Sequence, residues 1–485
     1  MLFYSYIVQG YNDAYHRELL GIGQGINYHQ YVDGWVVIES TESTQFQAAF
    51  RQQLSDVGYI DFFLDQCEKA SNNLFRFGSW LRTEDHASNS TAHLLMNFAE
   101  FSSLSIRLMP FLTTMVLVQD VLERDLRNRL STLIGLPTDS PVLDQRMQSL
   151  LLSSERAPLA TQSLRDLREI VELLASFPDI CSEGNDSRSV YDAICRVTQH
   201  FPKLLKDYVS KYDFLGTDYY VGKPLDCLDV LNQALALVRA GKTDSDVSND
   251  MSSESLPADI SKAVTVAQRM HFLRQYRIEA LFKSGCDARG LFNEIRARLG
   301  LSYEEFLALT FEEIYTSLFR NYVSIPLTII HQRAEGYGVL MTPGSLEYVV
   351  GDKLDTLRKA LHLPVNTDSR LQGTTAFPGS YKGPARVIDN LSDIDKVKPG
   401  DVLVAPMTSP YHVPAMTVAG AVVTSEGGIL SHAAILCREL RIPCIVGVAQ
   451  ALERISNGDI VEVDARPSTG TISVLSLGTG NDYAH

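Results

Sequence analysis

Along most of the chain, apolar residues recur at the spacing of an amphipathic helix. Phe46, Phe50 and Leu54 open the pattern, and Phe62, Phe63 and Cys67 resume it after Gly58. The same reading predicts helices over 93–108, from Pro110 to Leu130, and over 142–152, 161–177, 190–205, 225–238, 260–282, 289–299 and 353–361. Pro110, the run Gly135-Leu136-Pro137 and Pro178 mark breaks between them. Ser302 and Thr310 each stand three residues before a glutamate, the pattern of a capping box, and predict two helix starts. β structure is expected at two places in this region: a strand at 35–38 and a hairpin over 336–350 around Pro343-Gly344. Residues 241–258 are small and polar and predict a loop or linker.

Beyond residue 378 the pattern changes. Short apolar runs at 385–388, 402–405, 421–423, 444–446, 460–463 and 471–474 are punctuated by Gly and Pro, with one helix among them after His432. The expected fold class is therefore multidomain, α + α/β. A large, mostly helical N-terminal region (1–365) leads through a hinge or linker (366–378) to a compact β/α domain (379–477).

The chemistry concentrates in 421–448, where the polar string Thr424-Ser425-Glu426-Gly427-Gly428-Ile429-Leu430-Ser431-His432 lies between two apolar ones. Ala421, Val422 and Val423 read as a buried strand, and Gly427-Gly428 permit a turn or close approach to a ligand. Ser431 is a capable N-cap, so His432 falls in the first helical turn, where unpaired amides and the helix dipole favour an anion. A neutral imidazole there is a nucleophile suited to taking up a phosphoryl group. On spacing alone, a histidine that merely caps a βα unit fits equally.

The string Gly427-Gly428-Ile429-Leu430-Ser431-His432-Ala433-Ala434-Ile435, with Arg438-Glu439-Leu440-Arg441-Ile442-Pro443 after it, resembles the mobile phosphohistidine domain of the PEP-utilising enzymes. Pro378-Gly379, Gly383-Pro384-Ala385, Gly400-Asp401, Thr408-Ser409-Pro410 and Gly458-Asp459 extend the resemblance over the last quarter of the chain. In phosphoenolpyruvate synthase, pyruvate phosphate dikinase and rifampicin phosphotransferase, the histidine of this motif is phosphorylated and the domain swivels between distant sites. The resemblance implies His432 as the catalytic residue, on a ring that must be accessible and able to travel. Gly427, Gly428, Ser431, Thr424 and Thr408 are the implied phosphate-stabilising groups. Arg438 either reaches the phosphate or pairs elsewhere.

The ATP-dependent relatives also carry an ATP-grasp domain, and nothing before residue 370 reads as one: no phosphate loop beside a basic residue and no paired-carboxylate magnesium site. The sequence therefore resembles the split, phenylphosphate-synthase-like arrangement, with Mg2+ and ATP bound by a separate ATP-grasp subunit and no metal site in this chain. The implied function is a dikinase-type phosphotransferase subunit. It relays the β-phosphoryl group of ATP through His432 to a small-molecule acceptor, with AMP and phosphate as co-products. The alternative is a phosphocarrier that recruits a macromolecular partner.

Charge and cysteines narrow the setting. Lys plus Arg number 43 against 58 Asp plus Glu, a net charge of −15 that argues against a nucleic-acid-coating surface. Seven scattered cysteines without a CxxC pair fit a reducing compartment. No uninterrupted apolar run approaches the roughly 18 residues of a membrane span, so a cytoplasmic location is expected. Acceptor-binding candidates are His271, Arg274 and Arg277 on adjacent turns of one predicted helix, and His86 with His93. A charged solvent face explains the first set as well, and solvent or structural roles explain the second.

Overall fold

The computed structural model describes the chain except for residues 3–5, 8–9, 12, 23–28, 33–34, 39, 139, 153–155, 183–184, 219, 240–255, 343–344, 361–370, 389–390, 409–411, 429–430, 467–468 and 477–485. The polar loop expected at 241–258 thus lies almost wholly outside the described residues. The chain divides into two compact units, one of residues 1–129 with 258–366, the other of residues 130–257 with 367–485.

The first unit is built on two long helices, Val57–Leu81 and Ala258–Asp287, packed along each other. Asp56 caps the former, its carboxylate accepting from the Gly58 amide at 2.9 Å. Between the pair, Tyr276 donates to Asn72 at 2.7 Å and Ser284 to the Leu74 carbonyl at 3.1 Å. Asp287, buried, receives Lys283 at 2.9 Å and Arg82 at 3.0 Å, so its charge is balanced where water does not reach. Thr91–Leu108 and Pro110–Ile134 are separate helices, as the proline dictates. Both capping boxes form, Ser302 with Glu305 and Thr310 with Glu313. The strands His29–Val32 and Trp35–Ile38 join Gly338–Thr342 and Ser345–Val349 in one antiparallel sheet. The expected hairpin is present, and the pairing that ties it to the start of the chain is new. By length and composition the stretch Thr91–Ile134 could cross a membrane, although no uninterrupted apolar run announces it; 65 % of its apolar window is buried.

In the second unit the helices Pro141–Leu152, Leu159–Ala175, Ser187–Val197, Phe201–Tyr212 and Cys227–Arg239 accompany a closed barrel. The single helix expected over 190–205 is two. Thr198 leaves helical geometry at φ −132°, and Pro202 sits in the first turn of the next helix, where its missing amide costs nothing. The aromatic segment that follows fills a core: Tyr208, Tyr212 and Phe214 are buried, with the tyrosine rings 4.9 Å apart.

The barrel runs in the order Ala421–Thr424, Cys444–Val446, Leu371–Phe377, Gly470–Ser476, Ile460–Ala465, Gly379–Val387, Val402–Ala405 and back to the first. Pairing is parallel from Gly379–Val387 through Cys444–Val446 and antiparallel elsewhere. Val387, Val402, Val404, Val423, Ile445, Val461 and Val463 fill its interior. Six of the seven strands lie where short apolar runs place them. The seventh, Leu371–Phe377, falls in the segment expected as the hinge.

Candidate functional site

The site grows from the Ala421–Thr424 strand, whose four residues are all buried and lead straight into the glycine turn. Two bonds hold that turn against the neighbouring strand end, from the Ser425 amide to the Ala405 carbonyl at 3.1 Å and from the Glu426 amide to the Pro406 carbonyl at 2.8 Å. Thr424 is spent on shaping it, donating to the Glu426 carbonyl at 2.7 Å. Gly427 takes φ +105°, and a Cβ there would stand 3.0 Å from Ser431 Cβ. Gly428 is different: a Cβ would meet nothing within 4 Å.

Ser431 caps the helix His432–Leu440, its hydroxyl accepting from the Ala434 amide at 3.3 Å. His432 is therefore the first helical residue, and Thr408 Oγ1 lies 2.9 Å from its Nδ1. The sequence-predicted residues Gly427, Ser431, Thr408 and His432 thus come together around one imidazole. His432 is only 8 % exposed, less accessible than the relay reading requires. Arg438 points to the barrel wall, where its Nε donates to the Ala376 carbonyl at 3.1 Å. Burial pulls its guanidinium down to about 10. Cys437 and Cys444 are both buried, and loss of water pushes the Cys437 thiol far up, so it packs rather than reacts.

One group at the site had no assigned role. The Glu426 carboxyl is half-buried, and burial raises its pKa. Its place beside the double glycine was the available signal.

The acceptor candidates lie in the other unit. Arg277 is buried and donates to the Phe111 carbonyl at 2.9 Å and the Leu112 carbonyl at 3.0 Å, bracing the chain where Pro110 starts a new helix. Arg274 donates to the Gln119 side chain, and burial lowers its pKa. His271 is buried on the same helix. His86 is buried with Nε2 2.9 Å from the Leu81 carbonyl, closing a helix end, while the half-buried His93 has its amide on Ser90 Oγ at 3.2 Å. The first set does not form a charged solvent face, and His86 has the structural role that its alternative reading allowed. Among the described residues no three His, Cys, Asp or Glu stand together as a metal site.

Comparison with known proteins bears on the barrel. Residues 397–467 match the PEP-utilising enzyme mobile domain. Phosphoenolpyruvate synthase of Pyrococcus furiosus is 53 % identical over 94 residues, 19 % of this chain and 12 % of that protein. The uncharacterized phosphotransferase YvkC of Bacillus subtilis is 42 % identical over 111 residues, 23 % of this chain and 13 % of that protein. The chain thus spans about an eighth of the length of these relatives. A solved structure of Enzyme I aligns over 70 % of this chain and 81 % of that chain, but at 12 % identity and a TM-score of 0.15 no shared fold follows. The matched segment holds the whole arrangement around His432, and over it the chain is a homologue of the phosphoenolpyruvate synthases that bears a PEP-utilising enzyme mobile domain.

Proposed function

We propose that the chain is the phosphohistidine subunit of a dikinase-type phosphotransferase, with His432 as the residue that carries the group. The observation that supports this most is the engagement of His432 Nδ1 by Thr408 at 2.9 Å, at the first position of a helix. Phosphoryl transfer needs a lone pair on the other ring nitrogen. The reactive tautomer is therefore the one in which Nδ1–H donates to Thr408 and Nε2 attacks phosphorus. The helix dipole and the Gly427-Gly428 turn then favour the anion formed. Because the ring is shielded as it stands, it must be uncovered before a donor reaches it and covered again against hydrolysis.

In the overall reaction ATP, water and acceptor become AMP, inorganic phosphate and phosphorylated acceptor, with the β-phosphoryl group passing through Nε2. ATP and Mg2+ are assigned to a separate ATP-grasp subunit, where the metal offsets phosphate charge. The acceptor is assigned to the helical region, with a setting in the cytoplasm. The reading predicts that β-labelled ATP with Mg2+ and a matching ATP-grasp protein labels the wild-type chain and leaves His432→Ala unlabelled. Label in the alanine variant, or none with any ATP-grasp protein tried, counts against it. Stoichiometric label without small-molecule turnover favours a phosphocarrier instead.

A further inference from the structure

Two helices of the second unit flank the barrel. Leu159–Ala175 packs against the His432–Leu440 helix, and Cys227–Arg239 against the short helix Val413–Val418. The barrel strands close on one another, so no shared strand ties the barrel to these helices. The seat is loose at one end. A cleft of about 400 Å³ lies there between Asp229 and Ala236 on the helical side and Val397 and Val418 on the barrel side. A permanently packed interior leaves few voids larger than a water molecule. At the other end an ion pair spans the seam, with Arg168 Nη2 3.9 Å from a Glu439 carboxylate oxygen and both side chains partly exposed.

The place of that pair on the helix links it to the candidate site. Glu439 stands seven residues after His432, two turns along, so both lie on one face of the helix. The face that carries the buried imidazole is therefore turned, at its far end, toward Leu159–Ala175.

On the reading of His432 as the phosphoryl carrier, on which this inference rests, we propose that the seat is an autoinhibitory contact. The Arg168–Glu439 pair holds the His432 helix against Leu159–Ala175 with the imidazole covered, and loss of the pair bares the ring to a phosphoryl donor. Arg168 and Glu439 are positioning residues. A partly exposed pair is a light latch, which a docking partner or a change of salt can open.

Phosphoramidate, a small phosphoryl donor, tests the latch on the full chain without a partner protein. Nε2 attacks phosphorus, the P–N bond breaks, and ammonia leaves, carrying off the ring's surplus proton as ammonium. Phosphorus NMR reads the phosphohistidine formed, and His432→Ala sets the background. Glu439→Gln and Arg168→Gln are each expected to gain phosphate at His432 about two- to fivefold faster than wild type. The exchanged pair, Arg168→Glu with Glu439→Arg, returns to the wild-type rate. Added salt speeds wild type toward Glu439→Gln and leaves that variant's rate unchanged. Purely structural roles for the two side chains would give neither the rescue nor the salt response. Equal rates in wild type and both single variants, or faster single variants that the exchange does not rescue, overturn the latch while His432 stands as the carrier. No phosphohistidine above the His432→Ala background in any of the chains overturns carrier and latch together.

Discussion

At His432 one hydroxyl engages one of the two ring nitrogens. Thr408 lies 24 positions earlier, yet its Oγ1 is 2.9 Å from Nδ1. Thr408→Val keeps the shape and removes the bond, which at about 1–1.5 kcal/mol corresponds to roughly a tenfold slower phosphorylation. The ring's nitrogen shifts in an NMR spectrum should move toward a mixture of tautomers. A rate and spectrum unchanged from wild type would mean that Thr408 does not set the tautomer. Periodicity could not have paired these residues, because they belong to different strand-to-helix connections of the barrel; the family resemblance suggested the loop. Arg438 shows the opposite limit. Its spacing left two partners open, and the one seen, the Ala376 carbonyl, sits on a strand that no apolar run announced.

Among the elements, the glycine turn and the helix it feeds form one device. Gly427→Ala would force an L residue to φ +105° and drive a Cβ to 3.0 Å from Ser431, disturbing the helix cap. The expected cost is about 1–3 kcal/mol, seen as a lower thermal midpoint. Gly428→Ala meets open space and should leave stability within about 0.5 kcal/mol of wild type. If the Gly428 amide serves the phosphoryl group at close range, that same variant is phosphorylated more slowly. A stable Gly427→Ala would break the link between turn and cap. Helix starts were legible wherever a cap spelled them out, as at Ser302, Thr310 and Ser431, because capping is local chemistry. Leu371–Phe377 was not. Between its buried Leu371 and Ala376 stand Gln372, Gly373, Thr374 and Thr375, and only its neighbours in the barrel make it a strand.

The molecule as a whole is two units, and the helices 130–239 belong with the barrel, not with the other helices. Helical periodicity could not draw that division, since it reports a buried face without saying against what it is buried. Burial is the chief cause of a raised pKa at two glutamates, Glu123 in the first unit and Glu426 in the second. In both, the folded state holds its proton to higher pH than the unfolded chain does. Stability from these groups is thus full below the unfolded value of 4.5 and lost as pH rises through the raised folded one. Urea unfolding at several pH values should show that loss in both units' transitions. Glu123→Gln should flatten it in the first alone and Glu426→Gln in the second alone. A single transition answering equally to both substitutions would mean that the units do not unfold separately.

The ring of strands has a further consequence. Every strand of the barrel has a neighbour on both sides, including Ala421–Thr424, which meets Val402–Ala405 to close the circle. A carrier that must let go of one surface and settle on another spends time with its flanks bare. An open sheet would then offer unpaired amides and carbonyls to any passing extended chain, whereas a circular one has none to offer. Such a body can leave its berth repeatedly without inviting strand addition.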